Sequence, residues 1–195
     1  MGTLFVDKLD PQSGTSLEIG SSGDTITIPS GATIANSGTA TGFGESNTPV
    51  FQAMLTSYQT LSSGSFTKIQ FNNTSTADLS FDPQSTYDNT TNYRFTPAIA
   101  GKYHCYGIIT YEAGLNQGED MYFNFKINGS DASQYEFNSG GSGIRNSLHY
   151  SSTFDLDSDD YVEIFGYHSK GSNHNVGGNA SLLRTIFGAY RLIGA

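Results

Sequence analysis

The chain has 195 residues, a formal charge of -9, 12 Tyr, 13 Phe, no Trp and one Cys. Nine Lys and Arg scattered among 18 acidic residues provide no concentrated basic patch, which argues against a nucleic-acid partner and against docking on an anionic bilayer. The aromatic content supplies enough apolar surface to fold, and Cys105 alone cannot make an internal disulfide, so stability must come from packing or assembly.

The chain opens with MGTLFVDKLDPQSG, which has neither the basic start nor the apolar run of a signal peptide; no later stretch is long and apolar enough for a membrane span. Neither a secretion signal nor membrane insertion is expected. Residues 1–48 contain 23 Gly, Ser or Thr and two aromatics, Phe5 and Phe43. Within them Leu17 alternates with Ile19 and, nine residues on, Ile26 with Ile28, with Ile34 following and Gly20, Gly23, Gly31 and Gly38 between. Two readings stay open. Composition fits a flexible linker, whereas the regular bursts fit very short strands that wind with identical chains around a shared apolar axis. The change in composition places a domain boundary near Thr48–Pro49, separating a stem or anchoring arm (1–48) from a head (49–195).

Beyond the boundary the pattern is all β, with strands expected at 50–57, 66–73, 92–97, 102–112, 120–128, 133–138, 145–156, 160–168 and 182–193. Many short strands without helical periodicity indicate an antiparallel sandwich or jelly roll. Met121, Phe123, Phe125 and Ile127 alternate with Tyr122, Asn124, Lys126 and Asn128, as in a strand wet on one side. By contrast, Tyr103, Cys105 and Ile109 oppose Tyr106 and Ile108, while Leu183, Phe187, Ala189 and Ile193 oppose Leu182, Ile186, Tyr190 and Leu192. Strands apolar on both sides need two covers. With no helices to supply the second, a homo-oligomer is expected.

Five segments carry a resemblance: PVFQAML, FTKIQFNN, YDNTTNYRFTPAIAGKYHCYGIIT, DSDDYVEIFGY and FGAYRLIG, in that order across residues 49–194. Together they resemble the globular head of complement C1q, a member of the tumour-necrosis-factor-like jelly rolls. The resemblance implies a ten-stranded antiparallel jelly roll that assembles as a homotrimer. It also implies framework or trimer-core roles for Phe51, Phe71, Tyr87, Phe95, Gly101, Tyr103, Phe187 and Gly188. The Gly-X-Y stalk of the family's vertebrate members is absent. The segment GTSLEIGSSGDTITIPSGATIANSGTATGFG is instead similar to N-terminal repeats of tailed-bacteriophage fibre proteins.

Motifs for catalysis are missing. His104, His149, His168 and His174 show no metal-ligand spacing, Cys105 has no CxxC partner, and there is no GxSxG elbow or phosphate-cradling loop. The run Asp155, Asp157, Asp159, Asp160 lacks the sixth-position glycine and closing glutamate of a calcium loop and reads as a solvated turn. The expectation is no enzyme, no metal and no cofactor. The polar stretch HSKGSNHNVGGNAS (168–181) reads as a solvent loop or, with Tyr167, His168, Asn173 and His174, as a carbohydrate-contacting receptor loop. Combined, these features predict a virion protein of a bacteriophage, synthesised in the host cytoplasm. Its N-terminal region would engage other virion proteins, and its head would bind a host-surface glycan or protein. A trimeric capsid decoration protein is the alternative.

Overall fold

The computed structural model describes residues 9–35, 37 and 47–193. By backbone proximity the chain divides into two units, Met1–Phe43 and Gly44–Ala195.

In the first unit, residues 9–35 contain no strand. The Asp24 N–H donates to the Ser21 carbonyl at 3.0 Å and the Ala32 N–H to the Pro29 carbonyl at 3.1 Å, closing two tight turns. Gly23 and Gly31 take φ of 94° and 87° at their third positions, where a side chain would be strained. Outside these turns residues 9–35 have no ladder partner among the described residues, so the strands expected at Leu17–Ile19 and Ile26–Ile28 are not formed within one chain. Leu17, Ile19, Ile26, Ile28 and Ile34 are 43–60% exposed. The rest of the expected stem (1–8, 36 and 38–46) lies outside the described residues, as do 194–195 of the head.

The second unit is all β, with no helix among the described residues. Its strands are β1 (Val50–Met54), β2 (Gln59–Leu61), β3 (Thr67–Lys68), β4 (Tyr87–Asp88), β5 (Arg94–Phe95) and β6 (Gly101–Tyr111). They continue with β7 (Asp120–Ile127), β8 (Ser130–Asn138), β9 (Asn146–Leu156), β10 (Val162–His168), β11 (His174–Val176) and β12 (Ile186–Arg191). The described residues hold twelve strands where the pattern gave nine and the resemblance implied ten; the short strands β2, β4 and β11, whose polar residues carry little strand signal, are the three that the pattern lacked.

The strands form two antiparallel sheets. Sheet A runs β1-β12-β6-β11-β2, with β9 along the whole length of β6 on its other edge. Sheet B runs β4-β5-β10-β7-β8, with β3 beside β10. The β7–β8 hairpin turns on Asn128–Gly129, both at positive φ (52° and 79°). That two-residue turn matches the twist of the flanking strands and sets the pairing of Ile127 with Ser130 and Lys126 with Asp131, after which a bulge shifts the register by one residue.

The core lies between the sheets and is built mainly from aromatic rings. Phe51 stacks on Phe95 (4.7 Å between centroids) and Tyr87 (5.0 Å) and meets Phe187 edge-on at 4.9 Å; Phe71 reaches Phe187 at 5.8 Å, and Tyr103 reaches Phe95 at 5.5 Å. The six aromatic framework residues therefore form one buried cluster. Tyr111 crosses the sandwich: its hydroxyl accepts the Tyr167 N–H at 3.0 Å and lies 2.8 Å from the Tyr122 carbonyl, tying sheet A to the β7–β10 pair. On β7, Asn124 departs from the half-wet pattern. It is fully buried; its amide N–H donates to Asp131 at 2.6 Å, and Lys126 pairs with the same carboxylate.

Candidate functional site

Alternation along β6 sends Tyr103, Cys105, Ile109 and Tyr111 into the core and turns His104, Tyr106 and Ile108 to the outer face of sheet A. Pairing in register places β12 and β9 alongside: Tyr106 opposes Gly188 and Ser151, Ile108 opposes Ile186 and His149, and His104 opposes Tyr190 and Thr153. The outer face thus collects His104, Tyr106, Ile108, His149, Ile186 and Tyr190.

Tyr106 lies flat across this face. A Cβ at Gly188 would overlap its ring, so Gly188 serves as the seat of Tyr106. The Tyr106 hydroxyl donates to Gln52 Oε1 at 2.9 Å, and the Gln52 amide donates to the Leu79 carbonyl at 2.7 Å, which fixes the ring's direction. Burial, with Tyr190 nearby, pushes the Tyr106 phenol up from its ordinary value. The His104 ring lies 5.4 Å from Tyr190 and 6.5 Å from Tyr106. Ile108 and His149 are shared by two open clefts of about 280 Å³ each, one completed by Tyr106, Ser151 and Ile186, the other by Arg145, Leu183 and Arg184. Glu112 binds both arginines, at 2.6 Å to Arg145 and 3.1 Å to Arg184.

A second apolar surface lies at the β8–β9 side, where Tyr135, Phe137 and Ile144 are exposed and Tyr135 stacks on Tyr150 at 5.7 Å. A third lies on the outer face of sheet B. There Tyr167 meets Tyr122 at 5.1 Å and Phe66 at 5.2 Å.

Of the residues singled out in the sequence, Phe51, Phe71, Tyr87, Phe95, Tyr103 and Phe187 all lie in the interior. Gly101 faces Arg191, whose Nε would stand 2.9 Å from a Cβ there. The stretch 168–181 is not one solvent loop, because β11 interrupts it. His168 and His174 point inward, each with a ring nitrogen against a backbone carbonyl: His168 to Leu61 at 3.2 Å and His174 to Glu112 at 2.8 Å. They hold the fold and are not available to a receptor. Tyr167 remains half-buried on the outer face of sheet B, and Asn173 remains exposed. The carboxylate of Asp160 accepts from the Asp157 N–H and the Asn128 amide, both at 2.7 Å, so it shapes the acidic turn. Among the described residues no group of three His, Cys, Asp or Glu converges as metal ligands.

Sequence reading identified Tyr106, Ile108, Ile186 and Tyr190 as a second apolar set. It missed His104, His149 and Gln52 on that face, and Phe66 and Tyr122 beside Tyr167. Those neighbours follow from which strands pair, for which a single strand carries no signal.

No protein-family model and no curated protein matches the chain. Among solved structures, it is similar to the Eiger TNF from S. frugiperda, with a TM-score of 0.53 and 14% identity over 75% of this chain and 93% of that one. The head has a tumour-necrosis-factor-like jelly-roll fold.

Proposed function

We propose that the protein is a structural component of a bacteriophage virion: a homotrimer whose heads are displayed on a stem formed by three intertwined leading segments. The outer face of sheet A carries this reading, because the half-buried Tyr106, Ile108 and Tyr190 give that sheet an apolar side opposite its aromatic core, which a second cover would shelter. The outer face of sheet A and the Tyr135–Phe137–Ile144 surface are different patches on one chain. Contact between unlike patches is head-to-tail and closes as a ring when the rotation permits, which suits a threefold assembly. The uncovered isoleucines of residues 9–35 fit the same scheme, each chain providing what the others lack.

In this reading the head meets a host-surface glycan or protein through the surfaces left free, including Tyr167 with Phe66 and Tyr122, and Asn173. Three heads on one stem raise the effective concentration for a weak site. Other virion proteins are engaged through the N-terminal region.

Native mass spectrometry of the whole chain tests the assembly: a trimer is expected, and a stable monomer at micromolar concentration overturns it. Imaging of whole particles tests the location. Density at a fibre or spike supports the attachment role; density at threefold points of the capsid assigns the protein instead to shell decoration, for which the leading segment would be an anchoring arm.

A further inference from the structure

The two inward histidines are enclosed, His168 at 0% and His174 at 6% exposure, with ring centroids 5.6 Å apart. His168 sets Nε2 against the Leu61 carbonyl at 3.2 Å, and its Nδ1 receives the Lys170 backbone N–H at 3.4 Å. His174 sets Nε2 against the Glu112 carbonyl at 2.8 Å, and its Nδ1 lies 3.1 Å from the Lys170 ammonium. A carbonyl only accepts, and an ammonium or amide N–H only donates. Each ring is therefore neutral, with its proton on Nε2 and a lone pair on Nδ1. Neither Nδ1 faces a group that could accept a second proton.

We infer that His168 and His174 form an acid-released latch that holds the Ser169–Asn173 loop and the β2–β11 edge of sheet A against the sandwich. A proton added to Nδ1 of His174 would point an imidazolium N–H at an ammonium; one added to His168 would point at a backbone N–H. Either ring must leave its seat to take the proton. The strands tied to these rings go with them: Leu61 lies in β2, which pairs with β11, and Glu112 directly follows β6. The same edge is fastened by the Gly64 N–H to the His168 carbonyl at 2.9 Å and the Gly171 N–H to Ser63 Oγ at 2.7 Å.

The surrounding charges point the same way on balance. Burial is the leading cause holding both imidazoles below their ordinary value, reinforced by Lys170 and, for His168, by the other ring. Opposing these are the carbonyl bonds to Leu61 and Glu112, the carboxylate of Glu119 near both rings and, for His174, that of Glu112. Glu112 is already bound by Arg145 and Arg184. A folded value below the unfolded one means that the closed form is fully favoured above about pH 6.5 and loses ground as the pH falls below it. For each histidine excluded from protonation, the open fraction grows about tenfold per pH unit in that window.

Hydrogen exchange on the full chain, corrected for intrinsic rates, tests this at about pH 7.5 and about pH 5. Protection of 59–64 and 168–176 is expected to fall at least about tenfold relative to β7 and to return on neutralisation. His174→Gln keeps a donor toward Glu112 and an acceptor toward Lys170 but cannot take a proton, so it should remove one histidine's share of the response. Equal protection at both pH values overturns the latch, as does a uniform loss across the head or an undiminished response in His174→Gln. If that variant does not fold, imidazole nitrogen NMR shifts of the unmodified chain decide. Neutral rings in the protected fraction at low pH support the latch; imidazolium signals in a fully protected head overturn it.

Discussion

The two regions handle the same physical problem in opposite ways. In the head, every strand finds neighbours within its own chain, and rings such as Phe51, Phe95 and Phe187 shelter one another between two sheets. In residues 9–35 the apolar side chains come in pairs too short to make a sheet, and the turns at Ser21–Asp24 and Pro29–Ala32 separate them. Alternation alone therefore does not make a strand; a ladder partner does. The head carries its partners in cis, and residues 9–35 have none among the described residues.

Substitutions should divide along this line. The largest effect belongs to Phe187→Ala, which empties the ring cluster shared by both sheets and should cost about 3–5 kcal/mol, with the head melting roughly 10 °C lower by calorimetry. Ile26→Ser with Ile28→Ser should leave that melting temperature within about 1 °C, because these side chains are exposed and lie outside the core of the head. A comparable loss from the two would erase the distinction between the regions. Under the proposed trimer the pair is expected instead to weaken self-association, seen as a lower oligomer fraction on dilution.

Ile108→Glu sharpens the same contrast inside the head, where one strand has an inner and an outer side. If the outer face of sheet A is the interface of the proposed trimer, placing a carboxylate between its two clefts should abolish self-association while each head keeps its fold. A charge buried in an interface costs several kcal/mol; one on a wet surface costs about 0.5 kcal/mol or less. Sedimentation and far-ultraviolet circular dichroism read the two outcomes separately. Tyr111→Phe should have an intermediate effect, about 1 kcal/mol by denaturant unfolding, since the bonds that join its hydroxyl to Tyr122 and Tyr167 would be lost.

Sequence patterning made the class of fold and the two-sided character of β6 and β12 legible, because both are written in alternation along one strand. The Asn128–Gly129 turn, by contrast, begins on the last residue of the strand expected at 120–128 and falls ahead of the one expected at 133–138. Sheet order was not legible. That Ile108 stands beside His149, or Tyr106 over Gly188, depends on pairings between residues far apart in the chain. Nor did polarity reveal the directions of His168 and His174: a histidine in an Asn- and Gly-rich stretch reads as wet until its carbonyl partners are known. The short strand His174–Val176 exists because β2 lies alongside it.

The smallest effect concerns a turn in the head that, unlike those of the leading segment, is held by a charge buttressed by several donors. Asp88 accepts the backbone N–H groups of Thr90, Thr91 and Asn92 at 2.9–3.0 Å. Those bonds favour the ionised form and hold its carboxyl well below the usual range, with Thr91 and Thr90 contributing most. A folded value below the unfolded one means that the contribution is complete above about pH 4 and disappears as the pH drops through the folded value. Asp88→Asn should therefore be less stable than the parent by about 1 kcal/mol at neutral pH, the usual size of a lost capping interaction. Acid unfolding monitored side by side should show the two proteins converging at the lowest pH. A gap that stays constant down to acid would mean that the loop is held by its shape, with the charge incidental. By contrast, the Asp24 carboxylate, which receives the Ser21 N–H at 2.7 Å in the leading segment, closes a turn with no core beneath it, so Asp24→Asn should leave head stability unchanged across the same titration.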